Sequence, residues 1–261
     1  MKNKLLLLFF LLGVFFPLSA QESEVLISTS HTSLLLSTSQ GGELKFLYYG
    51  RKLTDADVHA IVSTESGSFS AYPVYGLNCP SESALSVQHE DGNMTLQMEV
   101  IGVETTHQEK ANLTVISLKD KVYPFYVKLC YKAYQDVDVI EAWTEISHKE
   151  KKNVKLNQFA SAYLPVRKGN VWLSSLYGAW ANEARLVQEP LEPGMKVIKN
   201  KDGVRNSHTA HAEVMFSLDG QPRENSGRVI GAALCYGGNY KLRIDTDESE
   251  YHHFYAGINE D

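Results

Sequence analysis

The run Tyr123-Pro124-Phe125-Tyr126-Val127-Lys128-Leu129-Cys130-Tyr131-Lys132-Ala133 decides the fold class. Tyr123, Phe125, Val127, Leu129, Tyr131 and Ala133 point one way, and Lys128 and Lys132 point the other. Successive side chains of a strand face opposite sides, so a period of two marks a half-buried strand. The same alternation recurs. Met94, Leu96, Met98 and Val100 alternate with Thr95, Gln97 and Glu99. Ala212, Val214, Phe216 and Leu218 repeat it, as do Tyr240, Leu242 and Ile244 against Lys241, Arg243 and Asp245. Turn residues punctuate these runs at Gly41-Gly42, Asp91-Gly92, Gly169-Asn170, Asp202-Gly203, Asp219-Gly220 and Gly237-Gly238. At about 11 residues per strand and turn, roughly 20 strands are expected. That exceeds one simple sandwich, so the expectation is all-β, a very large or doubled sandwich of antiparallel sheets. Two segments depart from the pattern. Leu53 to Ile61 suits a single helical turn. Ala179 to Gln188 is rich in helix formers but lies between Gly178 and Pro190, and is read as strand.

The chain has 261 residues with 25 Lys and Arg against 31 Asp and Glu. Residues 1–20 read as a signal peptide: Lys2 and Lys4, the apolar run Leu5 to Phe16, then Leu18-Ser19-Ala20 as a cleavage site before Gln21. The run is too short for a permanent transmembrane helix. Cleavage leaves 261 − 20 = 241 residues with charge 23 − 31 = −8, after Lys2 and Lys4 are lost. The expected location is secreted or periplasmic, with residues 21–261 forming one domain. An acidic, well-mixed surface argues against nucleic acid and anionic membrane as partners, and no membrane association is expected after cleavage. Cys79, Cys130 and Cys235 are too few for a disulfide scaffold. Cys130 and Cys235 lie in apolar alternating runs and are read as buried free thiols, with a single bridge left open.

Common catalytic signatures are missing: no nucleophile elbow, no phosphate-cradling glycine loop, no His-Glu-x-x-His helix. His208 and His211, three apart, diverge on a strand, as do the adjacent His252 and His253. No metal and no cofactor is expected. The acidic pairs Glu248 with Glu250 and Asp136 with Asp138 share a face but sit in polar turns, which suits a solvated edge. Trp143 and Trp172 are read as core or sheet-interface residues. Trp180, in Tyr177-Gly178-Ala179-Trp180, lies either over a turn or against another domain.

At this stretch the sequence resembles the N-terminal domain of the glycoside hydrolase family 36 α-galactosidases. The family's "L-x-G-x-W-x-x-E" resembles Leu176-Tyr177-Gly178-Ala179-Trp180-Ala181-Asn182-Glu183, followed by Leu191 and Gly194. Its "G-x-S-S-H" resembles Gly203-Val204-Arg205-Asn206-Ser207-His208, with one extra residue. Its "G-x-x-x-G-x-x-L-x-Y-S-G-N-F" resembles Gly227 to Tyr240, with Gly237 replacing the Ser. Ala256-Gly257-Ile258-Asn259, Tyr72-Pro73-Val74-Tyr75-Gly76, Ala84-Leu85 and Ile140-Glu141 match further short motifs in order.

The resemblance implies a large, mostly antiparallel β-supersandwich that precedes a catalytic (β/α)₈ barrel. The family's two catalytic aspartates lie in that barrel, so no catalytic residue is carried onto this chain. In the family a loop after the Tyr-Pro segment reaches a neighbouring subunit. Here that loop holds Tyr72, Cys79 and Glu82, with Cys79 and Ser81 where the family has Asp and Arg. The reading is therefore a non-catalytic fragment of a secreted retaining α-galactosidase. Its implied partners are the barrel, a galactoside substrate reached through it, and further copies in a homo-oligomer. The alternative is a free-standing carbohydrate-binding or adhesive sandwich. Trp180, Glu183, Ser207, His208 and Asn239 sit beside glycines where the period-two pattern breaks. They are expected to gather at one domain-facing surface.

Overall fold

The computed structural model describes residues 23–64, 69–76, 82–205 and 208–260. The signal-peptide reading, Cys79, Ser81 and Ser207 lie outside them. The described strands are β1 (Ser23–Ser28), β2 (Thr32–Thr38), β3 (Leu44–Arg51), β4 (Phe69–Ser70), β5 (Leu85–Gln88) and β6 (Met98–His107). There follow β7 (Ala111–Asp120), β8 (Phe125–Tyr134), β9 (Ile140–His148), β10 (Lys155–Phe159), β11 (Ala162–Arg167) and β12 (Trp172–Tyr177). The remainder are β13 (Arg185–Pro190), β14 (Gly194–Lys199), β15 (Ala210–Ser217), β16 (Val229–Ala233), β17 (Tyr240–Thr246) and β18 (Tyr251–Ile258). One helix, α1 (Asp55–Ser63), stands among them. It extends the expected single turn because Thr54 and Asp57 form a reciprocal capping box at its start.

The strands pair in the orders β1-β2-β3-β4, β6-β7-β8-β9, β10-β5, β11-β18-β17-β14 and β13-β12-β15-β16. Every ladder between named strands is antiparallel. The first two sheets face each other. Val25, Ile27, Leu34 and Leu36 from one meet Ile116, Leu118, Val127 and Leu129 from the other. The last two sheets enclose a second core of Leu173, Val214, Phe216, Leu242, Ile244 and Phe254. α1 covers the outer face of the first sheet, setting Leu53 and Val58 against Leu35. The fold is thus a doubled antiparallel sandwich.

The sheet β11-β18-β17-β14 joins the halves because both its faces are covered. Phe254 and Ala256 enter the second core, while Tyr163 and Tyr255 belong to the first. Arg243 stands opposite Tyr255 in the ladder, and its guanidinium lies 4.4 Å from that ring. It donates to Ser83 O at 2.8 Å and meets Glu82 Oε2 at 3.4 Å. A buried guanidinium needs such partners, and here they fasten the segment at residue 82 to the central sheet.

Three readings change on contact with this architecture. Ala179 to Gln188 is only partly strand: the described turn runs to Ala184 and β13 begins at Arg185. Cys130 is buried, but Cys235 is exposed, because it follows the end of β16. Trp143 and Trp172, read as core or sheet-interface residues, are half-buried and belong to neither core. Trp143 faces away from the first core and donates from its indole nitrogen to Glu145 at 3.2 Å.

His252 and His253 are both buried inside the central sheet. His252 Nδ1 shares a hydrogen bond with the Thr246 hydroxyl at 2.8 Å, and its Nε2 is without a partner among the described residues. Burial, with lesser contributions from Lys168 and His253, pushes its pKa from 6.5 down to about 4. The unfolded chain therefore takes up a proton that the folded chain refuses. Stability from this group is complete above pH 6.5 and is lost as pH falls toward 4. The loss is on the order of 3 kcal/mol. Urea unfolding at stepped pH should show this decline, and His252→Gln should flatten part of it.

Candidate functional site

Four of the five residues expected to share a surface, Ser207 lying outside the described residues, belong to loops at one end of the second sandwich. β12 ends there at Tyr177, β14 at Lys199 and β18 at Ile258, while β13, β15 and β17 begin there. A chain of contacts links the loops. Gly178 N donates to Thr209 O at 3.1 Å, tying the β12–β13 turn to the segment before β15. Gly203 N donates to Asn239 Oδ1 at 2.9 Å. Asn200 Nδ2 donates to Gly203 O at 3.1 Å and Gly238 O at 3.3 Å. Asn259 N donates to Asn239 O at 3.0 Å. Asn239 is therefore a loop brace. His208 closes a turn by donating its backbone N–H to Arg205 O at 3.2 Å. Trp180, Glu183, His208 and Asn239 are brought to this one end.

The β12–β13 turn is rigid by construction. Ala179 and Asn182 exchange backbone hydrogen bonds at 3.2 and 2.9 Å, and Glu183 Oε1 accepts from Ala181 N at 3.1 Å. Ala181 and Ala184 both hold φ of 57°. Alanine there costs about 1–2 kcal/mol at each position. A Cβ at Gly178 would lie 2.6 Å from Glu183 Cα and 2.7 Å from Asn182 O, so only glycine fits. At the tip Trp180 is 81% exposed, and Val204 on the neighbouring loop is 90% exposed. The strained turn thus holds a large indole out from the body of the domain.

The second expected group is placed differently. Tyr72 is a core residue at 4% exposure, donating its hydroxyl to Ala160 O at 2.7 Å. Burial pushes its pKa far up. Glu82 is drawn inward toward Arg243, and its carbonyl accepts from Tyr255 Oη at 2.5 Å. These residues pin the segments on either side of residues 77–81, whose Cys79 is outside the described residues. Gly76 completes the frame, because its φ of 132° and the 2.8 Å approach of Thr95 Cγ2 to a notional Cβ demand glycine.

Among the described residues no three His, Cys, Asp or Glu side chains converge as metal ligands. His211 instead pairs with Glu213 at 3.3 Å, and Glu250 with Arg167 at 3.7 Å. The sequence missed Arg243, Asn200 and Asn259. Arg243 reads as the outward partner in an alternating strand, and nothing local reveals that the outward face is also covered.

Comparison with known proteins follows this geometry. The profile of the glycosyl hydrolase family 36 N-terminal domain matches residues 42–261. The chain is 30% identical over 156 residues to alpha-galactosidase Mel36A of Lactobacillus acidophilus, covering 60% of this chain and 21% of that protein. It is 24% identical over 162 residues to alpha-galactosidase C of Emericella nidulans, covering 61% and 21%. It therefore spans about a fifth of the length of these curated relatives. The α-galactosidase AgaA of Geobacillus stearothermophilus superposes with a TM-score of 0.81 at 20% identity, over 91% of this chain and 37% of that one. The Lactobacillus brevis α-galactosidase gives 0.81 at 22% identity, over 94% and 37%. These structural likenesses establish the shared fold.

The turn itself makes a test. Gly178→Ala should cost about 1–3 kcal/mol through backbone collision. Ala181→Gly should gain about 0.5–1 kcal/mol by relieving positive φ. Trp180→Ala should stay within about 0.5 kcal/mol of the parent, because the ring touches little. Chemical denaturation of the three variants checks the ranking.

Proposed function

This chain belongs to the glycosyl hydrolase family 36 N-terminal domain family, and we propose on that ground that it serves a secreted or periplasmic α-galactosidase as its non-catalytic N-terminal domain. The observation that carries the proposal is proportion. The match covers about a fifth of each α-galactosidase relative, and on this chain it coincides with the family's N-terminal domain. The hydrolytic residues then belong to the remainder, in the (β/α)₈ barrel that the resemblance implies. There one aspartate forms a covalent glycosyl intermediate and a second acts as acid and base, giving retention. This domain contributes rigid surfaces. The Trp180 end, with Val204 on a neighbouring loop, presents exposed apolar groups on braced loops, which suits packing against the barrel or another subunit. The apolar run at residues 5–16 supports export.

Assay on an aryl α-galactoside tests the reading. This chain alone should show no hydrolysis. The reading frame carried past residue 261 should hydrolyse it, with the α-anomer as first product. Activity in the isolated chain, or a β-anomer first product, contradicts the assignment. In the longer protein Trp180→Ala should weaken domain or subunit association, seen by sedimentation, while leaving this domain's unfolding midpoint unchanged.

A further inference from the structure

A groove of about 1180 Å³ lies between the two sandwiches. Three strands at sheet edges border it: β9 near Ala142, β11 near Ala162 and β16 near Ala232. An edge strand exposes unpaired N–H and C=O groups, and proteins guard such rows with charge, proline or a cover. β9 carries Glu141 and Glu145, and β11 carries Pro165, whose missing N–H suits an edge. Among the described residues β16 has no such guard. Its sequence is Val229-Ile230-Gly231-Ala232-Ala233, with Val229 54% exposed. Met215 lies exposed directly opposite Gly231 on the neighbouring strand.

The charge of the groove has one sign. Asp138, Glu141 and Glu213 line it, and among the described residues its lining holds no Lys or Arg. Their nearest partners are not permanent cations. Asp138 accepts from the hydroxyls of Thr29 at 2.5 Å and Thr32 at 3.0 Å, and Glu141 from Tyr134 Oη at 2.9 Å. Among the described residues Glu213 meets the His211 ring. Lys132 stands opposite Glu141 in the ladder, but its ammonium lies over the Tyr134 ring, 5.0 Å from the centroid.

We propose that this groove seats an extended polypeptide segment that adds to the free edge of β16, apolar at alternate positions and carrying Lys or Arg for the groove's carboxylates. Main-chain hydrogen bonds to β16 give it register, and alternate side chains cover Met215 and the apolar floor. A second copy of this chain fits less well, since a net charge of −6 sets acid against acid. The proposal deepens the reading above and rests on it, because the remainder of the α-galactosidase supplies the segment. Binding rather than hydrolysis is measured, so the two readings fail separately.

The probe is a random library of short displayed peptides selected on this chain, with the winners synthesised and titrated by calorimetry. The expected winners alternate apolar residues with Lys or Arg, contain no proline within the run, and protect the amides of residues 229–233 from hydrogen exchange. Gly231→Trp should abolish binding. A Cβ at Gly231 meets nothing within 4 Å, so the variant should fold. Val229→Asp, at an exposed edge position, is the second blocking variant. Glu213→Gln with Glu141→Gln should weaken binding about threefold to tenfold and reduce its salt dependence. The proposal is overturned if no peptide is selected, or if winners lack the alternation or the basic residues. Unchanged affinity in a folded blocking variant, or protection away from β16, overturns it equally.

Discussion

The architecture depends on one sheet having two buried faces. Along β17 and β18, neighbouring residues serve different cores: Leu242 and Ile244 one, with Arg243 between them turned to the other. A slip of one residue in this ladder would exchange both sets at once, driving Arg243 into the second core and Leu242 against Glu82. An ordinary half-solvated sheet loses only one face to such an error. Register is therefore fixed from both sides, and two sandwiches that could have been beads on a chain become one body. The buried polar groups of the sheet follow from the same constraint. Arg243, His252 and His253 occupy positions that a solvated face would have left wet, so each needs neutrality or a partner.

Much of this fold was legible because alternation survives wherever one face meets water. The runs at 123–133, 212–218 and 240–245 coincide with β8, β15 and β17. Their polar positions, however, do not tell water from a second protein layer, which is why Arg243 reads as an outward group. β18 did carry a signal: His252-His253-Phe254-Tyr255-Ala256 lacks the charged alternate residues of a solvated strand, as strands covered on both faces do. The helix was underestimated because its cap at Thr54 and Asp57 is a three-residue spacing easily lost beside a short apolar run. The turn after β12 was hidden for a different reason. Alanine rarely adopts positive φ, so Ala181 and Ala184 read as extended or helical until tertiary contacts force them otherwise.

Function was legible at two depths. The motif at Leu176 to Glu183 marks the family, and the structure shows what the motif builds: a glycine that admits close backbone approach and an indole held away from the body. Acids of the domain pair with hydroxyls or with Arg and Lys, and its exposed features include apolar edges and braced loop ends. Such surfaces lose little freedom when covered, so what they contact is positioned at low entropic cost.

The pairing of β11 with β18 joins residues 162–167 to residues 251–256. During synthesis from the N-terminus, the chain completes β1 to β17 before the strand that must lie between β11 and β17 exists. Until β18 arrives, the first core lacks Tyr255, the second lacks Phe254, and both are open to water. The halves therefore cannot mature one after the other as they emerge. Closure waits for β18, and the nascent chain must keep two unfinished apolar layers apart from other molecules until then.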